Sequence, residues 1–140
     1  MLNPMDKAEY DKIVGKLNAQ GVKVVPVTGG DDLRYMLWLG AEGTYSNGQI
    51  SHIGEIPSRG TLFEEMIHMA QEREYGQMAL GDYTEYYARE IEANRKLLKY
   101  QGSYRLDALD VEDIERNLKN WEDAFQRRTG VSFDDSHYRE

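Results

Sequence analysis

The chain contains no cysteine. Disulfides, thiolate nucleophiles and every metal site built on cysteine are therefore excluded, and any metal must be held by imidazole, carboxylate or water. Histidine is scarce as well: His52, His68 and His137 are the three present. Basic residues are outnumbered, with 17 Lys and Arg against 25 Asp and Glu and a formal net charge of -8. Phosphate contacts supply much of the affinity for nucleic acid, so no nucleic-acid partner is expected. Small basic groups such as Lys96, Lys99 and Arg105 read as solvated faces. An acidic balance suits a basic partner or plain solubility. No apolar run is long enough to span a bilayer, and no charged-then-apolar leader opens the sequence. As written, the chain is expected in the cytoplasm, either in its own right or as a segment delivered within a larger secreted protein.

A chain of 140 residues fits one domain of ordinary size. The expected division is a single domain over 1–130 and a polar, loosely held tail over 131–140. Tyr10, Ile13, Val14 and Leu17 recur at helical spacing, which predicts a first helix over 5–20, stopped by Gly21. The β-branched run 22–27 predicts a strand, and the alternation of Tyr35, Leu37 and Leu39 predicts a second strand over 34–39. Ser46-Asn47-Gly48 is a hairpin-type turn leading into a third strand over 49–53. Three further helices are expected over 62–75, 83–100 and 111–128, the last with Asp110 as its N-cap. Strands grouped together and then helices grouped together indicate an α+β domain: an N-terminal helix, a small three-stranded sheet, then three helices.

The chemistry concentrates in Phe63-Glu64-Glu65-Met66-Ile67-His68. Residues three and four apart are neighbours on a helix, so Glu64, Glu65 and His68 share one face. Two ligands at i and i+4 can grip one ion, and a Glu between them can act as general base on a water the ion activates. Glu64 and His68 occupy the ligand positions and Glu65 the base position. Against this, Thr61 with Glu64 fits a capping box, which would tie Glu64 to the backbone. On the next helix, Glu90 falls on the stripe that also carries Tyr86, Ala93, Asn94 and Leu97, whereas Glu85, Arg89, Glu92, Lys96 and Lys99 form the polar side. A carboxylate on a core-facing stripe is costly unless paired or bound to metal. Glu90 is therefore the candidate third ligand, with Asn94 a supporting partner. The alternative for Glu90 is a buried salt bridge to Arg73 or Arg95.

The runs Glu64-Glu65-Met66-Ile67-His68-Met69-Ala70-Gln71 and Glu90-Ile91-Glu92-Ala93 resemble the zincin-like metallopeptidase toxin domains of bacterial polymorphic toxins, including chains of the Rhs, WapA and LXG kinds. The resemblance implies a zincin-like fold, Glu65 as general base, and Glu64, His68 and Glu90 as metal ligands. Glu64 stands where the family has a histidine. Zinc is the first metal expected, and the added carboxylate brings manganese or iron within range. The resemblance also implies a protein substrate, a cognate immunity protein as partner, and an edge strand over 49–53 that borders the cleft. On that strand His52 would touch substrate or supply a ligand, while a plain strand histidine would face solvent. Gln71, one turn past His68, is a further candidate for a supporting role. Two other functions are compatible with the residues: a metal-independent nuclease or deamidase toxin working through a Glu–His pair, and a non-catalytic acidic immunity or adaptor protein.

Overall fold

The structure, a computed structural model, describes residues 2–140. Eight elements follow in order: α1 (Lys7–Ala19), β1 (Lys23–Val27), α2 (Gly30–Leu39), β2 (Gly43–Ser46), β3 (Gln49–Ile53), α3 (Arg59–Tyr75), α4 (Tyr83–Lys99) and α5 (Ala108–Thr129). This is the α+β domain expected, with one helix more than the sequence suggested.

The extra helix replaces the strand expected over 34–39. Tyr35, Leu37 and Leu39 alternate, but none of them is buried; Met36 is the residue α2 buries. A burial pattern with one inward position in ten residues does not reward pairing in a sheet. Asp31 and Asp32 in the first turn favour the helix, and Gly40 ends it in the left-handed conformation at φ 70°. The second strand is instead Gly43–Ser46, joined to β3 by a two-residue turn in which Asn47 and Gly48 both have positive φ, 48° and 80°.

The sheet order is β1-β3-β2, with β1 parallel and β2 antiparallel to β3. β3 is thus the central strand, and the edge expected at 49–53 belongs to β2. Glu42 C=O accepts from the Ile53 amide at 3.0 Å. In an antiparallel ladder the inward groups alternate, so the N–H and C=O groups of Gly43 and Tyr45 point to the free edge.

Helix α3 occupies the middle of the molecule. One side packs with α1 and the sheet in a core of Tyr10, Leu17, Val22, Ile50, Leu62 and Met69. Its other side meets α4 and α5 through Ile67, Ala93, Leu97 and Ile114. A third cluster, Ala88, Ile91 and Phe125, joins α4 to α5. Apolar residues therefore lie on two faces of α3, and Glu64, Glu65, His68 and Gln71 fall on the side between them.

Three local expectations change. The N-cap of α5 is Asp107, whose carboxylate accepts from the Asp110 amide at 2.9 Å. Glu85 and Arg89 are buried rather than solvated, paired at 2.6 Å. The segment after Gly130 is docked: Phe133 packs edge-on against Phe125 at 5.2 Å, and Arg139 reaches Glu85 and Glu92 at 2.9 and 2.8 Å. No helix among the described residues is long and apolar enough to cross a membrane.

Candidate metal centre

The start of α3 decides what Glu64 is free to do. The N-cap is Ser58, whose Oγ accepts from the Thr61 amide at 3.1 Å and donates to Thr61 Oγ1 at 3.0 Å. Thr61 is thus the third residue of the helix, and the capping box expected between Thr61 and Glu64 does not form. Glu64 lies in the second turn with its carboxylate available.

One ligand atom each from Glu64, His68 and Glu90 lies within 4.8 Å of the others. Two come from α3, where the i, i+4 spacing put them, and one from α4, where the inward stripe put it. Arg73 and Arg95, the alternative partners for Glu90, are engaged elsewhere: Arg73 donates to Gln20, and Arg95 pairs with Glu122 and Asp134. The Glu90 carboxylate instead sits 3.2 Å from His68 Nε2.

The polarity of His68 follows from its neighbours. Gln71 Nε2 donates to the Arg89 carbonyl at 2.9 Å, which turns Gln71 Oε1 toward the imidazole. His68 Nδ1 therefore carries the proton and donates to Gln71 Oε1 at 2.8 Å. In the neutral ring the lone pair is then on Nε2, the usual arrangement of a metal-ligating histidine. Nε2 is buried and makes no well-directed hydrogen bond; its approach to Glu90 is close but misaligned. On the opposite side, Asn94 Nδ2 donates to Glu64 Oε1 at 3.3 Å and to the Glu90 backbone carbonyl at 2.7 Å. Gln71 and Asn94 thus each orient one member of the cluster.

Glu65 stands beside this group. It is 3% exposed and packs under β2. A Cβ on Gly43 would lie 3.1 Å from Glu65 Cγ and 2.9 Å from Thr61 Cγ2, so the strand approaches α3 this closely only because residue 43 lacks a side chain. Burial and the neighbouring carboxylates dominate the electrostatics. Burial, then the charges of Glu90 and Glu65, hold Glu64 well above the usual carboxylate range. Burial raises Glu65 to about 7, with His68 opposing and Glu90 adding to the shift. Burial alone would lower His68, but Glu90, Glu65 and Glu64 together lift it to about 10. Three carboxylates thus converge on one imidazole.

The residues fit a divalent cation. The donors are one nitrogen and carboxylate oxygens, which suit zinc, manganese or iron. Without a metal, His68 held protonated beside Glu90 supplies the positive charge of the group, and a cation bound there would take the place of its proton.

The cluster opens into a cleft of about 660 Å³. Gly43, Thr44 and Tyr45 of β2 form one wall, and Met78, Ala79 and Leu80 of the α3–α4 loop another; Tyr86 and Trp121 line it from α4 and α5. Tyr86 escaped the sequence reading as a site residue, although it lies one turn before Glu90 on the same helix. Its ring packs on Trp121 at 5.3 Å, and burial together with Glu90, Glu65 and Glu64 raises its pKa. Gly43 carried no signal of a site in the sequence. His52 is not at the site: it is fully buried, and its Nε2 lies 2.6 Å from Tyr10 Oη under α1. It neither faces solvent nor borders the cleft. His137 is exposed and pairs with Glu140 at 2.5 Å.

No protein-family model, no curated protein and no solved structure matches the chain. Function therefore rests on the site itself.

Proposed function

We propose that this protein is a divalent-metal-dependent hydrolase acting on polypeptide, with Glu64, His68 and Glu90 holding the ion and Glu65 as general base. The observation that supports this reading is that one ligand atom each of the half-buried Glu64, His68 and Glu90 lies within 4.8 Å of the others, with the buried Glu65 beside them and no Lys or Arg in the group. Ion-pair networks also perturb carboxylates; here the cationic group facing them is the His68 imidazolium, whose proton a divalent ion would displace. A divalent ion supplies Lewis acidity and lowers the pKa of a coordinated water toward neutrality. Glu65, buried beside this group and lining the cleft, would serve as the proton acceptor for a water the ion activates and would deliver that proton to the leaving group. Gln71 keeps His68 in the ligating tautomer, and Asn94 orients Glu64. The free edge of β2 supports a polypeptide substrate, because Gly43 and Tyr45 offer outward N–H and C=O groups to an extended chain. Zinc is the first candidate metal. The zincin-like toxin resemblance agrees with this reading and adds an immunity protein as the expected partner.

Glu65→Gln tests the reading. The variant should retain metal, measured by elemental analysis after purification without chelator, and lose hydrolysis of unstructured protein by at least ~100-fold. Full activity in Glu65→Gln excludes Glu65 as base. Full activity after exhaustive chelation excludes the metal and favours metal-independent Glu–His chemistry.

A further inference from the structure

Hydrolysis of a peptide bond places negative charge on the carbonyl oxygen as water adds to the carbon. A positioned hydrogen-bond donor at that oxygen is often the largest single contribution a protein makes to such a reaction. Several donors that line the cleft are engaged elsewhere. Arg89 donates to Glu85 Oε1 at 2.6 Å and to the Gly76 carbonyl at 2.8 Å. Tyr45 Oη donates to Glu72 at 3.3 Å, and Asn117 Nδ2 donates to Asp113 at 3.3 Å.

Tyr86 is not engaged in this way. It lies one turn before Glu90 on α4 and lines the cleft together with Glu64, Glu65 and His68. Its ring is fixed by packing on Trp121 at 5.3 Å and on Tyr87 at 5.8 Å. Its hydroxyl has no hydrogen-bond partner among the described residues, and with 36% of its surface exposed the side chain can be reached from the cleft. Burial and the charges of Glu90, Glu65 and Glu64 hold the phenol above its ordinary value. It therefore keeps its proton at neutral pH and is available as a donor.

We propose that Tyr86 is a further catalytic residue, whose hydroxyl donates a hydrogen bond to the carbonyl oxygen of the substrate as water adds to it. This rests on the hydrolase reading for the reaction. The oxygen of water bonds to the carbonyl carbon, and one of its protons passes to Glu65. The C–N bond then breaks, the nitrogen leaves with the proton from Glu65, and the new carboxyl group releases the other proton to solvent. Tyr86 gains and loses no proton in these steps. Its contribution is a hydrogen bond that strengthens as charge builds on the oxygen, so it acts on the transition state more than on the bound substrate.

The test compares zinc-loaded wild type, Tyr86→Phe and Tyr87→Phe. Phe keeps the ring that packs on Trp121 and removes only the hydroxyl. Tyr87 belongs to the same aromatic cluster, 5.7 Å from Trp121, but does not line the cleft. Hydrolysis of fluorescein-labelled casein should fall about 10- to 100-fold in kcat for Tyr86→Phe, with KM changed less than about 3-fold. Acetohydroxamate, an oxygen anion that seeks the metal, should bind Tyr86→Phe about 5- to 10-fold more weakly by calorimetry. Imidazole, which seeks the metal without an oxygen, should bind both proteins alike, and zinc content should be equal. Tyr87→Phe should match wild type throughout. Unchanged kcat and unchanged acetohydroxamate affinity in Tyr86→Phe overturn the proposal. So do equal weakening of acetohydroxamate and imidazole, loss of zinc, or the same losses in Tyr87→Phe, each of which marks a structural role. Casein hydrolysis by wild type that Tyr86→Phe retains in full removes Tyr86 and leaves the hydrolase reading standing. An acetohydroxamate margin without hydrolysis by wild type removes the hydrolase reading and leaves Tyr86 as a donor to an oxygen anion in the cleft. Neither hydrolysis nor acetohydroxamate binding by wild type overturns both.

Discussion

Replacing Glu64 by Gln should act in opposite directions on the metal-free and metal-loaded protein. In the metal-free protein Glu64 is buried against Glu90 and Glu65, and its pKa is raised by burial and by both charges. Its ionised form is therefore disfavoured in the folded state at neutral pH, and stability that depends on its proton is lost as pH rises from the usual carboxylate range through the raised value. Gln imitates the protonated form and can still accept from Asn94 Nδ2. The melting temperature of metal-free Glu64→Gln at pH 7 should therefore equal or exceed that of wild type. The metal-loaded comparison reverses this. A ligand at 100 times its Kd stabilises by about 2.7 kcal/mol. For 140 residues the unfolding entropy is about 0.3 kcal/mol/K, so zinc at that level should raise the wild-type Tm by roughly 9 °C. Loss of one of three protein ligands should remove most of that rise at the same zinc concentration. Differential scanning calorimetry on both proteins, chelated and zinc-loaded, reads all four values. The reasoning is refuted if metal-free Glu64→Gln melts well below wild type, since Glu64 would then be a stabilising charge. It is refuted equally if zinc shifts both proteins alike.

Gln71→Leu removes the acceptor of His68 Nδ1–H while keeping the bulk at that position. Zinc affinity, measured by competition with a chromophoric chelator, should fall about 10- to 100-fold; an unchanged affinity would show that the tautomer is set elsewhere. His52 gives a pH prediction away from the site. Burial depresses its pKa below the usual 6.5, opposed by the Ile53 and Gly54 backbone. Its neutral form thus contributes stability that is complete above pH 6.5 and declines as pH falls from 6.5 through the depressed folded value. The difference in Tm between wild type and His52→Gln should accordingly narrow between pH 7.5 and pH 5; a constant difference would mean that His52 does not titrate differently in the two states.

The helices were legible where apolar residues recur at 3.6 spacing over many turns, as in α1 and α5, because that pattern needs only one buried face. The sheet was less so. Tyr35, Leu37 and Leu39 satisfied a strand alternation with side chains that the fold leaves exposed, and six residues are too few for period two to be distinguished from a helix that buries Met36 alone. The true second strand, Gly43–Ser46, looked like a break because Gly43 is there to let β2 approach α3, a requirement set by a helix fifteen and more residues later. The place of β3 at the centre depends on its parallel pairing with β1, a non-local contact that no local pattern encodes.

The Glu64–His68–Glu90 cluster was legible for the opposite reason: the spacing of Glu64 and His68 lies within one helix, and Glu90 could be placed by the stripe of the next. What sequence could not separate were Glu85 and Glu90, two of the three acidic groups of α4. Glu85 and Glu90 are five residues apart, and the first was assigned to solvent. Both are in fact withdrawn from it, and their surroundings differ. Glu85 accepts from Arg89, Arg139 and Tyr138, and these partners outweigh its burial and hold its pKa down at about 2. Glu90 meets His68, with Glu64 and Glu65 close by and no guanidinium or ammonium in the group. Arg139 comes from a segment more than forty residues distant, so the pairing of Glu85 could not be seen from α4. The comparison sharpens the functional argument. The same helix meets its two withdrawn carboxylates differently: Glu85 with two arginines and a tyrosine, Glu90 with the imidazole of His68 alone. A cluster that existed only to hold α3 against α4 would be more stable with an arginine in it or with apolar residues throughout. Three acids around one imidazole form the arrangement that the proposed divalent ion would occupy, with the His68 proton given up on binding.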